Sequence, residues 1–187
     1  MGSVIQFEQT AVAALRERLG AAETARADLL AFARGHSGAV ATIHEAVIAG
    51  LDASSFDELI AVVTHGWPNL LGLEAVALAL IVGDQGFRID ACGVETIERK
   101  MIERALGSTG NVALRAVGRG HPLFGASAAA INAEALVGIR AEAPLPRGIL
   151  LLGQSANQPA SSDQGSQLLR FLGAALGAML RRWATTS

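Results

Sequence analysis

The chain has one cysteine, no tyrosine and a single lysine among its 187 residues. One thiol cannot form an intramolecular disulfide, complete a CxxC redox pair or supply a zinc site by itself, so a reducing compartment is expected. The first residues also lack the charged segment, apolar segment and small-residue cleavage site of a signal peptide. Together these absences predict a cytoplasmic location.

Net charge and long apolar runs are scarce as well. The formal charge is -2 and the pI is near 6.1, whereas a broad phosphate-binding surface requires an excess of lysine and arginine. The longest apolar runs, 70–82 and 168–180, are shorter than the roughly 20 residues that cross a bilayer. We therefore predict no direct contact with nucleic acid and no membrane segment.

The four histidines do not form a metal-binding pattern. No two of them have the i, i+3 or i, i+4 spacing that would bring them together on one helical face. They are His36, His44, His65 and His121. We predict no metal site and no cofactor.

What the chain does have is a long N-terminal segment with no proline before residue 67 and apolar residues at heptad spacing from Ile5 to Val47. Such a seam needs a partner, either a second subunit or the last helix of the same chain. We predict a helical dimerisation segment over 1–35, a folded domain over 36–187 and a homodimer. The predicted interface residues are Ile5, Val12, Leu15, Leu19, Ala22 and Leu29.

Downstream, hydrophobic periodicity and turn residues alternate between helix and strand. Ser55 and Glu58 have the spacing of a capping box at the start of a helix that ends near 69–72. The last helix carries Gly173 and Gly177 on one face, which allows another helix to approach closely. The other predicted elements are strands at 74–82, 87–91, 111–114, 133–139 and 148–153, and helices at 95–106 and 164–184.

Short stretches spread over the whole chain resemble the DUF484 family of uncharacterised bacterial proteins, which have a GAF-like domain. These stretches include Phe56–Ile60, Leu73–Leu78, Pro122–Gly125, Gly148–Gly153 and Leu169–Gly173. The resemblance implies an α/β (α+β) fold in which helices flank a central antiparallel sheet, preceded by a long coiled-coil-like helix. The heptad seam, together with the absence of a catalytic set of residues, favours a non-enzymatic regulatory or interaction module.

Five residues are candidates for ligand binding. Arg115, Arg119 and His121 belong to a glycine-bearing basic loop that could present guanidinium and backbone N–H groups to a small anion, or could be a solvated loop. Cys92 follows the second strand, near the place where GAF domains hold ligands; burial as a small apolar residue is the favoured alternative. Arg88 alternates with apolar residues on that strand, so it lines a polar cavity or a solvated face.

No catalytic residue is predicted. One cysteine cannot complete the cycle of a GAF-type methionine sulfoxide reductase, which needs further cysteines to resolve the oxidised enzyme. The first hypothesis is a non-enzymatic module that dimerises and senses a small molecule. The second is a scaffold with an occluded pocket that binds a protein partner. A third is a small-molecule enzyme that uses Arg115, Arg119 and His121.

Overall fold

A computed structural model describes residues 38–139, 147–155 and 163–184. Contacts divide the chain into two compact units, Met1–Ala41 and Thr42–Ser187, and the second contains the sheet. The six predicted dimer-interface residues and the predicted boundary at residue 35 lie outside the described residues. They stay predictions.

The centre of the second unit is a six-stranded antiparallel sheet with the strand order β3-β2-β1-β6-β5-β4. The central pair, β1 and β6, is buried on both faces, so its sequence is a continuous apolar run rather than an alternation. This confirms the predicted α+β fold with a central antiparallel sheet. The strands are β1 (Ala75–Val82), β2 (Gln85–Asp90), β3 (Gly93–Ile97), β4 (Val112–Ala116), β5 (Ala133–Ile139) and β6 (Arg147–Gln154).

Helices cover both faces of the sheet. No helix among the described residues is long and apolar enough to cross a membrane. The helices are α1 (38–51), α2 (Phe56–Ala61), α3 (Trp67–Leu71), α4 (Arg99–Thr109) and α5 (Asp163–Ala184), with a π-helical turn at Val62–Gly66 and a 3₁₀ segment at Pro122–Ala130.

Each face of the sheet has its own apolar core. On the first face, α1, α2, α3 and α5 pack around Trp67, which is fully buried and donates its indole N–H to the carbonyl of Ala46 at 2.9 Å. On the second face, α4 and the 3₁₀ segment press Ile102, Leu123 and Phe124 against the sheet. Side chains therefore fill the space directly beneath the 3₁₀ segment.

The first and last helices lie side by side. The ring of His44 meets that of Phe171 edge-on at 6.0 Å, and a Cβ on Gly50 would lie 2.8 Å from the sulfur of Met179. Ile43, which belongs to the heptad seam, and Gly50, seven residues further on, are both buried within this domain. The last helix is thus a partner for the C-terminal end of the heptad seam.

Gly173 has a different neighbour from the one expected. A Cβ at this position would lie 2.5 Å from Cγ1 of Val137, which is on β5. The glycine lets α5 approach the sheet, and the expectation that it meets another helix is wrong.

One strand was not predicted from the sequence. Residues 93–97 were expected to lead into a helix starting at Glu95, but they form the edge strand β3, and α4 begins at Arg99. An exposed edge strand has no buried face to impose an apolar alternation, and Val94 is 67% exposed. The pattern that identifies central strands is therefore missing here.

Candidate ligand cleft

A cleft of about 340 Å³ opens at the end of the sheet where β1 begins and β2 ends. Its volume is within the range of small-molecule sites in proteins. Buried apolar residues of β1 and the 3₁₀ segment form part of its wall. The polar residues that line it are Thr64, His65, Asn69, Glu74, Asp90 and Ser127.

A π-helical turn supplies one wall of the cleft. Such turns are uncommon and occur frequently at functional sites. The hydroxyl of the buried Thr64 donates to the carbonyl of Ile60 at 2.8 Å and lies 2.9 Å from Nδ1 of His65. When the hydroxyl proton goes to Ile60, the oxygen of Thr64 accepts from Nδ1–H, and the neutral imidazole keeps Nε2 as an acceptor.

Pro68 explains why the turn lies where it does. Proline has no N–H to donate, so it favours a bend or the end of a helix. In the structure Pro68 is the second residue of α3, one residue beyond the π-helical turn, and Gly72 ends α3 in a left-handed conformation with φ 64°. The helical segment therefore ends inside the predicted interval, 69–72.

Two carboxylates also line the cleft. Oδ1 of Asp90 accepts the backbone N–H of Cys92 at 2.7 Å, and its Oδ2 lies 3.2 Å from Nε of Arg88. Glu74 directly precedes β1 and is exposed, and its carboxylate has no hydrogen bond or ion pair with any residue that the structure describes. Sequence reasoning did not select Glu74 or His65 as site residues.

Arg88 is on the same face of β2 as Asp90 but is held by its neighbours. Its guanidinium also pairs with Glu95, across the strand on β3, and its Nε is buried without an aligned hydrogen bond. Gly125 packs over this group: a Cβ there would lie 2.7 Å from Cζ of Arg88, and φ is +61°. Arg88 therefore contacts the 3₁₀ segment and pairs with Asp90, and it does not line the cleft.

The basic loop is organised by a residue that sequence reasoning missed. The carboxylate of Glu134, whose side chain is 1% exposed, accepts from Nε of Arg115 and from the backbone N–H of His121, both at 2.6 Å. A buried charge needs such partners. The sequence feature that could have identified Glu134 is its position as the single carboxylate in the otherwise apolar strand β5.

His121 begins the 3₁₀ segment and caps it. Its Nδ1 accepts the backbone N–H of Leu123 at 3.1 Å. Burial lowers the pKa of His121 below its usual value, the carboxylate of Glu134 raises it, and the guanidinium of Arg115 lowers it. Arg119 is exposed and makes no hydrogen bond or ion pair within the described ranges. Arg115 is on β4 rather than in the loop, so that part of the expectation is wrong, and the three residues do not converge on one point.

Cys92 lies in the turn between β2 and β3. It is exposed, so the expectation of burial is wrong. The turn has to reverse direction between two outer strands, and the backbone N–H of Cys92 is used by Asp90 to close it. Cys92 is two residues from Asp90 but is not part of the cleft wall.

Comparisons with known proteins agree with this architecture. The family model "Protein of unknown function, DUF484" matches residues 1–185. The chain belongs to the DUF484 family. No curated protein matches it.

Solved structures place this DUF484 domain among GAF folds. The GAF domain of a phosphoenolpyruvate-protein phosphotransferase from Coxiella burnetii has a TM-score of 0.57 at 11% identity, covering 79% of this chain and 95% of that one. Free methionine-R-sulfoxide reductase from Neisseria meningitidis, in complex with its substrate, has 0.55 at 13%, covering 78% and 90%. The GAF domain of a two-component sensor histidine kinase from Bacillus halodurans has 0.52 at 13%, covering 70% and 96%.

Proposed function

We propose that this DUF484 chain is a non-enzymatic regulatory module that binds a small molecule in the cleft between the π-helical turn, β1 and the end of β2. The observation that carries the proposal is the cleft itself: about 340 Å³, with an apolar wall and six polar residues at one end of the sheet. This combination of an apolar cavity and a few polar groups is typical of small-molecule sites.

Two relatives in fold support the ligand-binding part and the regulatory part of the proposal. The Neisseria reductase holds its substrate in a domain of this fold, and the Bacillus domain is part of a sensor histidine kinase. Fold alone does not determine function, so the argument depends on the cleft and the groups that line it.

Dimerisation through the N-terminal segment is the second element of the proposal. The heptad positions from Ile5 to Leu29 have no partner that the sequence identifies inside the domain, and an apolar seam is stabilised by a second helix. Size-exclusion chromatography with light scattering tests this. A dimer that becomes a monomer in a Val12→Asp, Leu15→Asp variant supports the seam; a wild-type monomer at micromolar concentration contradicts it.

Ligand binding is tested by identifying small molecules that copurify with the protein. Ala91 is exposed and lines the cleft, so Ala91→Trp places a large side chain at the opening. Ala116→Trp, at the exposed end of β4, is the matched control. We expect mass spectrometry to find a bound metabolite in the wild type and the control but not in Ala91→Trp. A metabolite retained equally by Ala91→Trp contradicts the proposal.

A scaffold without a ligand is the second candidate, and one observation favours it. Fully buried side chains of Leu123, Phe124 and Ile131 fill the space between the 3₁₀ segment and the sheet. A ligand cannot enter that space without displacing them. On this hypothesis a protein partner binds instead, and the Ala91→Trp variant would keep all of its partner affinity.

The enzyme hypothesis has less support. It required Arg115, Arg119 and His121 to act together, but Arg115 is engaged by a buried carboxylate and Arg119 is on the surface. Nδ1 of His121 is used as a helix cap. A ligand-linked change in the affinity of a regulatory partner is the activity to look for.

A further inference from the structure

The charges around the cleft indicate which chemical class of ligand it accepts. Resting on the proposed function, we infer that the ligand is a small aliphatic amine, bound through its ammonium group near Glu74 and Asp90 with its alkyl part against β1.

The side chains that line the cleft carry negative charge. Glu74 and Asp90 contribute carboxylates, and no lysine or arginine is among the described residues that form the wall. A ligand carboxylate or phosphate is normally held by arginine, lysine or a group of backbone N–H donors. In this cleft a ligand carboxylate or phosphate would lie beside two carboxylates, which repel it.

The nearest guanidinium along the chain does not change this balance. Arg88 is paired with both Asp90 and Glu95, and Gly125 lies against its guanidinium. Arg88 can neutralise one carboxylate, which leaves the exposed Glu74 without a partner among the described residues. Glu74 is the group that an ammonium ion would meet.

The remaining wall suits a short hydrocarbon chain. Pro68, Ala75 and Ala91 line the cleft, and each has apolar surface that solvent reaches. Because burial is favourable in proportion to the apolar area removed from water, an alkyl group is stabilised by covering these side chains. The hydroxyl of Ser127 and the imidazole of His65 offer hydrogen-bonding groups for a second polar end.

Three probes of equal chain length test the inference: putrescine, butanediol and succinate. Each is titrated into the isotope-labelled full chain, and amide chemical shifts are followed by NMR. We expect putrescine to shift the amides of 74–77 and 90–91 with the highest affinity, and succinate to leave them unchanged. Removing a charge-assisted partner by Glu74→Gln should weaken putrescine about tenfold.

Glu45→Gln is the matched control because Glu45 is also exposed but is on α1, away from the cleft. Glu74 is exposed too, so its replacement should leave the fold intact, which the spectrum itself reports. The inference is overturned if succinate binds as well as putrescine, if no amine binds at millimolar concentration, or if Glu74→Gln leaves putrescine affinity unchanged. An anionic metabolite found in the cleft would overturn the charge argument and leave the proposed function standing, whereas a metabolite retained by Ala91→Trp would contradict the proposed function.

Discussion

The ion pair between Arg115 and Glu134 should be a source of stability rather than a ligand site, and substitutions distinguish these roles. Glu134 is the buried partner and accepts two hydrogen bonds of 2.6 Å, while the side chain of Arg115 is 44% exposed. The two partners therefore do not contribute equally. Removing Arg115 leaves an uncompensated carboxylate in the interior, whereas removing the charge of Glu134 leaves a guanidinium that water can reach.

The magnitudes follow from this asymmetry. Breaking a buried pair so that a charge is stranded costs about 3–5 kcal/mol. Arg115→Gln should be near the lower end, about 3 kcal/mol, because Glu134 keeps the N–H of His121. Glu134→Gln keeps one acceptor oxygen and loses about one charge-assisted hydrogen bond, so we expect about 2 kcal/mol. The double variant should be less destabilised than the sum of the two single changes.

Urea denaturation followed by tryptophan fluorescence measures these changes, with the fully buried Trp67 as the main reporter. Arg119→Gln is the control: this neighbouring arginine is exposed and has no partner among the described residues, so its loss should change the free energy of unfolding by less than about 0.5 kcal/mol. If Arg115→Gln is as mild as Arg119→Gln, the pair contributes little to stability and Arg115 is again a candidate ligand residue.

Three further predictions concern single positions. Gly125→Ala should destabilise the fold by about 2–4 kcal/mol, since φ is +61° and a Cβ would meet Arg88. Gly107→Ala is the comparison: this glycine is on α4 with open space around it, so the change should stabilise the fold by about 1 kcal/mol in the same urea assay. Burial lowers the pKa of His121 in the folded state. Its neutral form therefore stabilises the fold above its ordinary pKa of about 6.5, and that stability is lost as the pH falls from there through the lower pKa of the folded state. Wild type should lose stability between neutral and mildly acidic pH, and His121→Gln should remove this part of the loss; identical pH profiles would contradict it. Ser55→Ala removes the side-chain cap of α2, which accepts the N–H of Glu58 at 3.1 Å, and should cost about 1 kcal/mol by urea denaturation, against an unchanged Ser127→Ala control.

Much of the fold was predictable because strong local signals and long-range packing agree. The sheet strands β1, β5 and β6 are runs of aliphatic residues that burial on both faces requires. The start of α2 was predicted from Ser55 and Glu58, although the carboxylate of Glu58 returns to Ser54 rather than to Ser55. Here the local chemistry is correct, and only the partner of one hydrogen bond differs.

The site was less predictable because its residues come together only through tertiary contacts. Glu74 precedes a strand, His65 is in a π-helical turn and Ser127 is in a 3₁₀ segment. None of these positions has a periodic pattern or a motif of fixed spacing. Of the five residues selected from the sequence, Cys92, Arg119 and His121 are in turns or loops. Arg88 and Arg115 are on strands and are engaged by carboxylates on adjacent strands, a pairing that depends on strand register.

The proposed ligand site is tested most directly by a crystal structure of the full chain purified without removal of bound small molecules. We expect electron density for a small organic molecule in the cleft, within hydrogen-bonding distance of Glu74 or Asp90 and in contact with Ala75. Density at the loop around Arg115 and His121, with the cleft holding only water, would contradict the proposal.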